Sequence, residues 1–222
     1  LSIGPLYSFL PQKGLRAIVD AVLGSGIPTV FHKDRYCSVL RTTGYSYNRK
    51  LDTRKKFYET QSAAWTCFYA DMEALRSIDF EAEQEWLDSH GYSALDDQTM
   101  FYKAWLRGVK TAIVSTAAYQ HLDGKTSTRG RPVQVKKAMG FTRTVLWHRF
   151  FYCRASLPGK LWAVICYGYR TLFQAAVDLL RGCRSRHHLL EGKAFLEGVA
   201  IALKWVKTDE YKCLAPVVEE RK

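Results

Sequence analysis

The chain has 222 residues, of which 47% are hydrophobic, 24% charged and 14% aromatic. That is enough apolar material for one to one and a half ordinary domains and too much for a disordered segment. Low-complexity tracts and solenoid-length repeats are absent, which excludes fibrous and repeat architectures.

The net charge of +12 is lopsided. Residues 1–123 hold 14 Lys+Arg against 14 Asp+Glu, and residues 124–222 hold 19 against 7. A neutral half joined to a basic half suggests chemistry in the first and an anionic partner for the second: a membrane surface, a phosphorylated substrate or nucleic acid. A generally basic bacterial surface is the plainer alternative. Six cysteines (Cys37, Cys67, Cys153, Cys166, Cys183 and Cys213) are scattered without a C-x-x-C pair. That spacing fits neither a zinc site nor a small disulfide scaffold, so free thiols in a reducing cytosol are expected.

The chain opens without an initiator Met or a signal region and reads as a piece of something longer. Over residues 14–24, Leu15, Ile18, Val19, Val22 and Leu23 recur at helical spacing, ended by a Gly-Ser-Gly-Ile-Pro turn. Residues 31–60 are polar, aromatic and irregular, which predicts a functional loop. The apolar run at 63–69, containing Trp65, predicts a buried strand. A short helix is expected over 71–76, acidic in its first turn.

Residues 97–107 then predict a helix with Met100, Phe101, Ala104 and Trp105 on its apolar side and Gly108 as its stop. A strand is expected over 109–115, in one sheet with 63–69. Residues 124–143, rich in Lys, Arg, Gly and Thr, predict a loop or lid. Two amphipathic helices follow. The first, near 160–181, has Leu161, Ile165, Gly168, Leu172, Ala176 and Leu179 on one face; the second, near 188–207, has Leu189, Leu196, Val199, Ala200, Leu203 and Val206. Arg170, Gln174 and Asp178 interrupt the first, so it does not span a membrane. It is expected to pack on its own domain, the alternative being a helix lying at a membrane interface beside Trp147, Trp162, Tyr167 and Tyr169.

Asp96 and Asp97 open the 97–107 helix, where the helix dipole favours an ionised carboxylate able to serve as a base. Aspartates there also cap helices, and both roles stay open on local sequence. His121 follows the 109–115 strand. One helix-plus-strand unit returns it towards the acidic pair, in the kind of crevice where open α/β sheets bind ligands.

The order of motifs is more informative than any one of them. A strand and short helix over 64–77 lead to the turn Asp79-Phe80-Glu81 and then to Asp96-Asp97. After these come Gly108-Val109-Lys110 and His121-Leu122-Asp123-Gly124-Lys125-Thr126-Ser127. This series resembles the acceptor-side half of an inverting family 2 glycosyltransferase of GT-A fold. The stretch Lys207-Thr208-Asp209-Glu210-Tyr211-Lys212 is similar to the tail of bacterial members that build surface polysaccharides.

The resemblance implies an α/β fold, a partial GT-A-like mixed sheet with flanking helices over residues 1–124. A basic lid and amphipathic C-terminal helices would follow over 125–222. It implies Asp97 as the catalytic base that deprotonates the acceptor hydroxyl, and Asp96, where the family often has Glu, as an orienting acid. His121 would be a ligand to Mn²⁺ or Mg²⁺ neutralising the departing nucleoside diphosphate. Trp65 would be an acceptor platform, and Lys125, Thr126, Ser127 and Arg129 a lid near the diphosphate.

The implied partners are a nucleotide-sugar donor and a glycan or lipid-linked acceptor, in the cytoplasm or peripheral on the inner face of the cell membrane. No Asp-x-Asp occurs in the chain. The donor half of such a domain is therefore expected upstream, and this piece alone is expected to be inactive. The basic residues are dispersed through apolar helices without a recognition motif, so no nucleic acid partner is expected. A non-catalytic module that binds membrane surfaces or nucleic acid is the alternative class.

Overall fold

The computed structural model describes residues 14–23, 35–48, 54–63, 68–117, 132–183 and 185–218. They form a mixed α/β structure, mostly helical, with two small antiparallel sheets. The elements in chain order are α1 (Leu15–Leu23), β1 (Cys37–Val39), β2 (Ser46–Asn48), β3 (Phe57–Glu59), α2 (Met72–Ile78), α3 (Glu81–Asp88), α4 (Asp96–Leu106) and β4 (Ala112–Val114). Then come α5 (Pro132–Trp147), which runs on as a π-helical turn over His148–Tyr152, α6 (Leu157–Gly182), α7 (Arg186–Trp205) and α8 (Asp209–Lys212).

The polar stretch read as an irregular loop over 31–60 carries β1, β2 and β3. Strand β1 pairs with β2 in the register Cys37↔Asn48, Ser38↔Tyr47, Val39↔Ser46. Strand β3 pairs with β4 as Phe57↔Val114, Tyr58↔Ile113, Glu59↔Ala112. The two strand pairs meet through a parallel bridge between Arg35 and Glu59. Tyr36 N–H donates to the Glu59 carbonyl at 2.7 Å, and Gln61 N–H to the Cys37 carbonyl at 3.1 Å.

The strand predicted at 109–115 is thus present as β4, and its partner among the described residues is β3. Residues 64–67 lie outside the described residues, and Ala63 and Phe68–Ala70 belong to no strand. Three-residue strands are too short to show a period of two, which is why hydropathy missed them.

The expected short helix is α2, capped by the Asp71 carboxylate, which accepts from the Glu73 and Ala74 N–H groups at 2.9 and 3.0 Å. The lid expected over 124–143 is corrected from residue 132 onward by helix α5; residues 124–131 lie outside the described residues. Two glycines explain why the helix was hidden. A Cβ on Gly140 would sit 2.1 Å from the Phe195 carbonyl oxygen, and one on Gly198 would sit 2.0 Å from the Lys137 carbonyl oxygen. Glycine weakens a helix locally, but here it lets the α5 and α7 backbones touch.

Helix α6 departs most from expectation. Its stripe of Leu161, Ile165, Leu172 and Leu179 faces solvent, and the side that packs inward uses Ala163, Cys166, Tyr167, Ala175 and Asp178. In α7 the buried face is likewise rotated towards Gly192, Phe195, Gly198, Val199 and Ala202, leaving Leu196 and Leu203 exposed. Small residues take many of the inward positions because α7 lies close to both α5 and α6. The main core joins both sides of residue 124. Val39, Trp86, Leu87 and Tyr102 pack with Phe141, Val145, Phe150, Ala202 and Tyr211 in one cluster.

Candidate active site

Helix α4 begins abruptly. The residue before it, Leu95, is held at φ 63°, ψ 25°, a left-handed conformation that a leucine adopts only at a cost. Leu95 occupies the cap position with a side chain that cannot cap. Asp96 and Asp97 therefore sit inside the first turn. The Asp96 carboxylate accepts the Asp97 N–H at 2.8 Å, and the Asp97 carboxylate accepts the Gln98 N–H at 2.6 Å. Both acids satisfy helix-end donors, so part of the capping role is real, but each does so through a single neighbouring amide.

Asp97 is half-buried, and burial pushes its carboxyl up to about 6. The Gln98 amide pulls the other way, Asp96 adds to the rise, and the Arg143 guanidinium opposes it. A carboxyl raised in this way is of the kind that can serve as an acid–base group, being largely ionised at pH 7 yet still basic enough to take a proton.

The cation beside it comes from α5, an element hidden in the sequence. Arg143 lies over the Tyr45 ring at 4.2 Å from the centroid, and Arg170 of α6 lies over the same ring at 4.6 Å. Tyr45 sits where the β1–β2 turn closes, its carbonyl accepting the Leu40 N–H at 2.8 Å. Gly44 makes that turn possible at φ 69°, and a Cβ there would press on Leu146 and Phe151 at 3.3 Å. The Gly44 carbonyl accepts the Tyr102 hydroxyl at 3.1 Å. One hairpin turn is thereby bolted to α4 and α5, with two guanidiniums on the Tyr45 ring, of which Arg143 acts on Asp97.

A cavity of about 640 Å³ opens between the two strand pairs, α2 and α4. Its polar lining includes Ser46, Asn48, Ser62, Asp71 and Lys110. Met100, Phe101 and Ala104 of α4 form part of its wall. Asp96 and Asp97 are not among its lining residues; Asp97 stands one helical turn before Met100 on the same helix. The volume lies in the range of ordinary ligand sites.

A buried ionic cluster fixes α4 from behind. Glu83 has no solvent exposure and receives Arg149 Nε at 2.8 Å, Arg149 Nη2 at 3.0 Å, Lys103 Nζ at 2.9 Å and Trp86 Nε1 at 2.8 Å. Burial alone would raise its carboxyl, but Arg149 and Lys103 outweigh that and hold it below the usual range. Lys103 also donates to the Asp79 carbonyl at 2.6 Å, and Arg107 donates to the Val217 carbonyl at 2.9 Å. A second cluster joins His148 Nδ1 to the Tyr211 hydroxyl at 2.7 Å, with Cys153 Sγ 3.5 Å from the same nitrogen. Burial lowers the imidazole and raises the thiol, so the pair stays neutral and is not an activated nucleophile.

No family model matches the chain, and no curated protein or solved structure matches it.

Of the residues singled out in the sequence, Asp96 and Asp97 stand together at the start of α4. Trp65, His121, Lys125, Thr126, Ser127 and Arg129 lie outside the described residues, and so does the expected sharing of one cleft by Asp97 and His121. Among the described residues no group of three or more His, Cys, Asp or Glu side chains could hold a metal ion. Arg143, Arg170 and Tyr45 were missed because they gather from three elements, and no spacing in the chain announces them. Glu83 reads as one more acid in a solvated run.

Proposed function

We propose that this chain is the acceptor side of an inverting glycosyltransferase with a GT-A-like fold. In this role Asp97 removes the proton from an acceptor hydroxyl of a glycan or lipid-linked sugar. As that oxygen bonds to the anomeric carbon of a nucleotide-sugar donor, the bond from that carbon to the diphosphate breaks. The nucleoside diphosphate leaves with the bonding electrons, and the configuration inverts. The observation that carries this is Asp97 itself: a half-buried carboxyl raised to about 6 at the start of α4, the helix whose Met100, Phe101 and Ala104 wall a cavity of substrate size.

Asp96 adds to the rise in Asp97, and Arg143 keeps it from going further. His121 would hold the divalent cation, Mn²⁺ or Mg²⁺, whose chemistry when bound is to neutralise the departing diphosphate. Trp65 would face the acceptor, and Lys125, Thr126, Ser127 and Arg129 would close near the donor.

Nucleoside diphosphate release from a panel of nucleotide sugars, with and without sugar acceptors, tests this on the full-length protein. Acceptor-dependent release that Asp97→Asn abolishes is expected. Equal turnover by the Asn variant returns Asp97 to a helix-end role and overturns the assignment.

A further inference from the structure

We infer that the outer face of α6 is a docking surface for an anionic lipid bilayer, on which the helix lies parallel to the membrane plane. The inference stands apart from the transferase assignment, because it uses none of the α4 site.

In an ordinary surface helix the charged residues face water. Helix α6 is arranged the other way round. Its outward stripe is apolar from end to end: Leu157, Leu161, Ile165, Leu172, Leu179 and Leu180 are all exposed, Leu157 by 83% and Leu172 by 70%. Its charged residues, Lys160, Arg170, Asp178 and Arg181, all lie roughly 140° or more round the axis from Ile165, at about 100° per residue. Over 26 residues, about 39 Å of helix, the solvent-facing stripe carries no charge. Helix α1 packs beside α6 and adds exposed Leu15, Ile18 and Val22. An uncovered apolar surface of this extent marks an interaction site.

Charge selects the partner. Residues 124–222 hold 19 Lys+Arg against 7 Asp+Glu. Exposed Arg154 precedes α6, and exposed Arg186 follows it. A two-fold contact between copies would bring the arginines at the ends of two such helices together, which repels. Anionic headgroups attract those same residues, while the acyl boundary takes up the leucines. Trp162, exposed on the same side, is the side chain type that settles at headgroup depth. No helix among the described residues is long and apolar enough to cross a membrane, so the geometry that fits is a helix lying in the interface. Trp147 and Tyr167 are instead stacked on each other in the interior at 4.2 Å.

The test is sedimentation of the 222-residue chain with vesicles of phosphatidylglycerol and phosphatidylcholine in equal parts, beside vesicles of phosphatidylcholine alone. Wild type should pellet with the mixed vesicles and less with the neutral ones. Leu161→Glu with Leu172→Glu should weaken binding to the mixed vesicles at least about tenfold while leaving the thermal midpoint unchanged. Both sites are exposed; should that pair fail to fold, Leu172→Gln with Leu180→Gln carries the same expectation. No pelleting of wild type overturns the inference, and so does equal pelleting of a folded variant. Sedimentation velocity without lipid supplies the remaining outcome. A dimer that these substitutions dissociate, in a chain that ignores vesicles, overturns the inference and gives the face to a second copy.

Discussion

Arg149 grips Glu83 through two hydrogen bonds, at 2.8 and 3.0 Å, although the two stand 66 residues apart in sequence. Glu83 is fully buried and Arg149 nearly so. With Lys103 as third member, the pair ties α3, α4 and the π-helical turn after α5 into one body. The guanidinium also reaches the Ala215 carbonyl, which anchors the segment after α8.

Removing one partner of such a cluster leaves the others charged and dry. Glu83→Ala should lower the stability of the fold by about 3–5 kcal/mol, read as a fall in the urea midpoint at pH 7. The sign with pH follows from the depressed carboxyl. Its contribution is complete above the ordinary glutamate range and is lost as pH falls through the lower native value. Wild type should therefore lose stability below about pH 4.5, and Glu83→Gln should flatten that limb. An unchanged acid limb in the Gln variant would show that another carboxylate governs it.

The crossing of α5 and α7 depends on two absent side chains. A methyl group on Gly140 or on Gly198 would fall about 2 Å from a backbone oxygen of the facing helix. Helix propensity favours alanine at both sites, by about 1 kcal/mol. Packing opposes it, and packing should win. Each Gly→Ala change is expected to destabilise by about 3 kcal/mol, the upper end of overpacking costs. Thermal melts decide the matter, since a rise in melting temperature would mean that the helices stand further apart.

Asp97→Asn should act on stability and on turnover in opposite directions. A carboxyl raised to about 6 contributes stability that is complete below the ordinary aspartate range and lost as pH rises through 6. The neutral amide does not suffer that loss. The variant should be more stable than wild type by about 1–2 kcal/mol at pH near 7.5, with no difference near pH 4, after allowing for solvent at the half-exposed side. If Asp97 is the general base, turnover should fall by about 10²–10⁴-fold. The acid limb of wild-type kcat/KM should then lie at about 6. Stability measured at the two pH values and initial rates on the same preparations check both halves.

Gly44 should tolerate no side chain. Its φ of 69° and the contacts at 3.3 Å with Leu146 and Phe151 both oppose Ala. A loss of about 1–2 kcal/mol is expected. Because the Gly44 carbonyl also receives the Tyr102 hydroxyl, Tyr102→Phe should cost about 1 kcal/mol. A double-mutant cycle measures whether the two losses couple.

Local order was legible in the residues wherever one segment carried its own signal. The period of 3.6 marked α1, α4, α6 and α7, the acid at residue 71 marked the start of α2, and the adjacent carboxylates of Asp96 and Asp97 marked the candidate site. These are short-range effects of helical geometry and capping, which act between residues a few places apart.

Tertiary structure alone decided what depends on distant contacts. It turned α6 so that its leucine stripe faces outward, because Tyr167, Cys166 and Asp178 fit the tight space against α5 and α7. It made a helix of residues 132–147 despite Gly140, because that glycine is where two backbones meet. It paired β4 with β3, and it brought Arg143 and Arg170 to Tyr45, with Arg143 also acting on Asp97. A charge or a glycine has no fixed meaning along a chain. Burial and the nearest backbone give it one, and both are set only once the helices have packed.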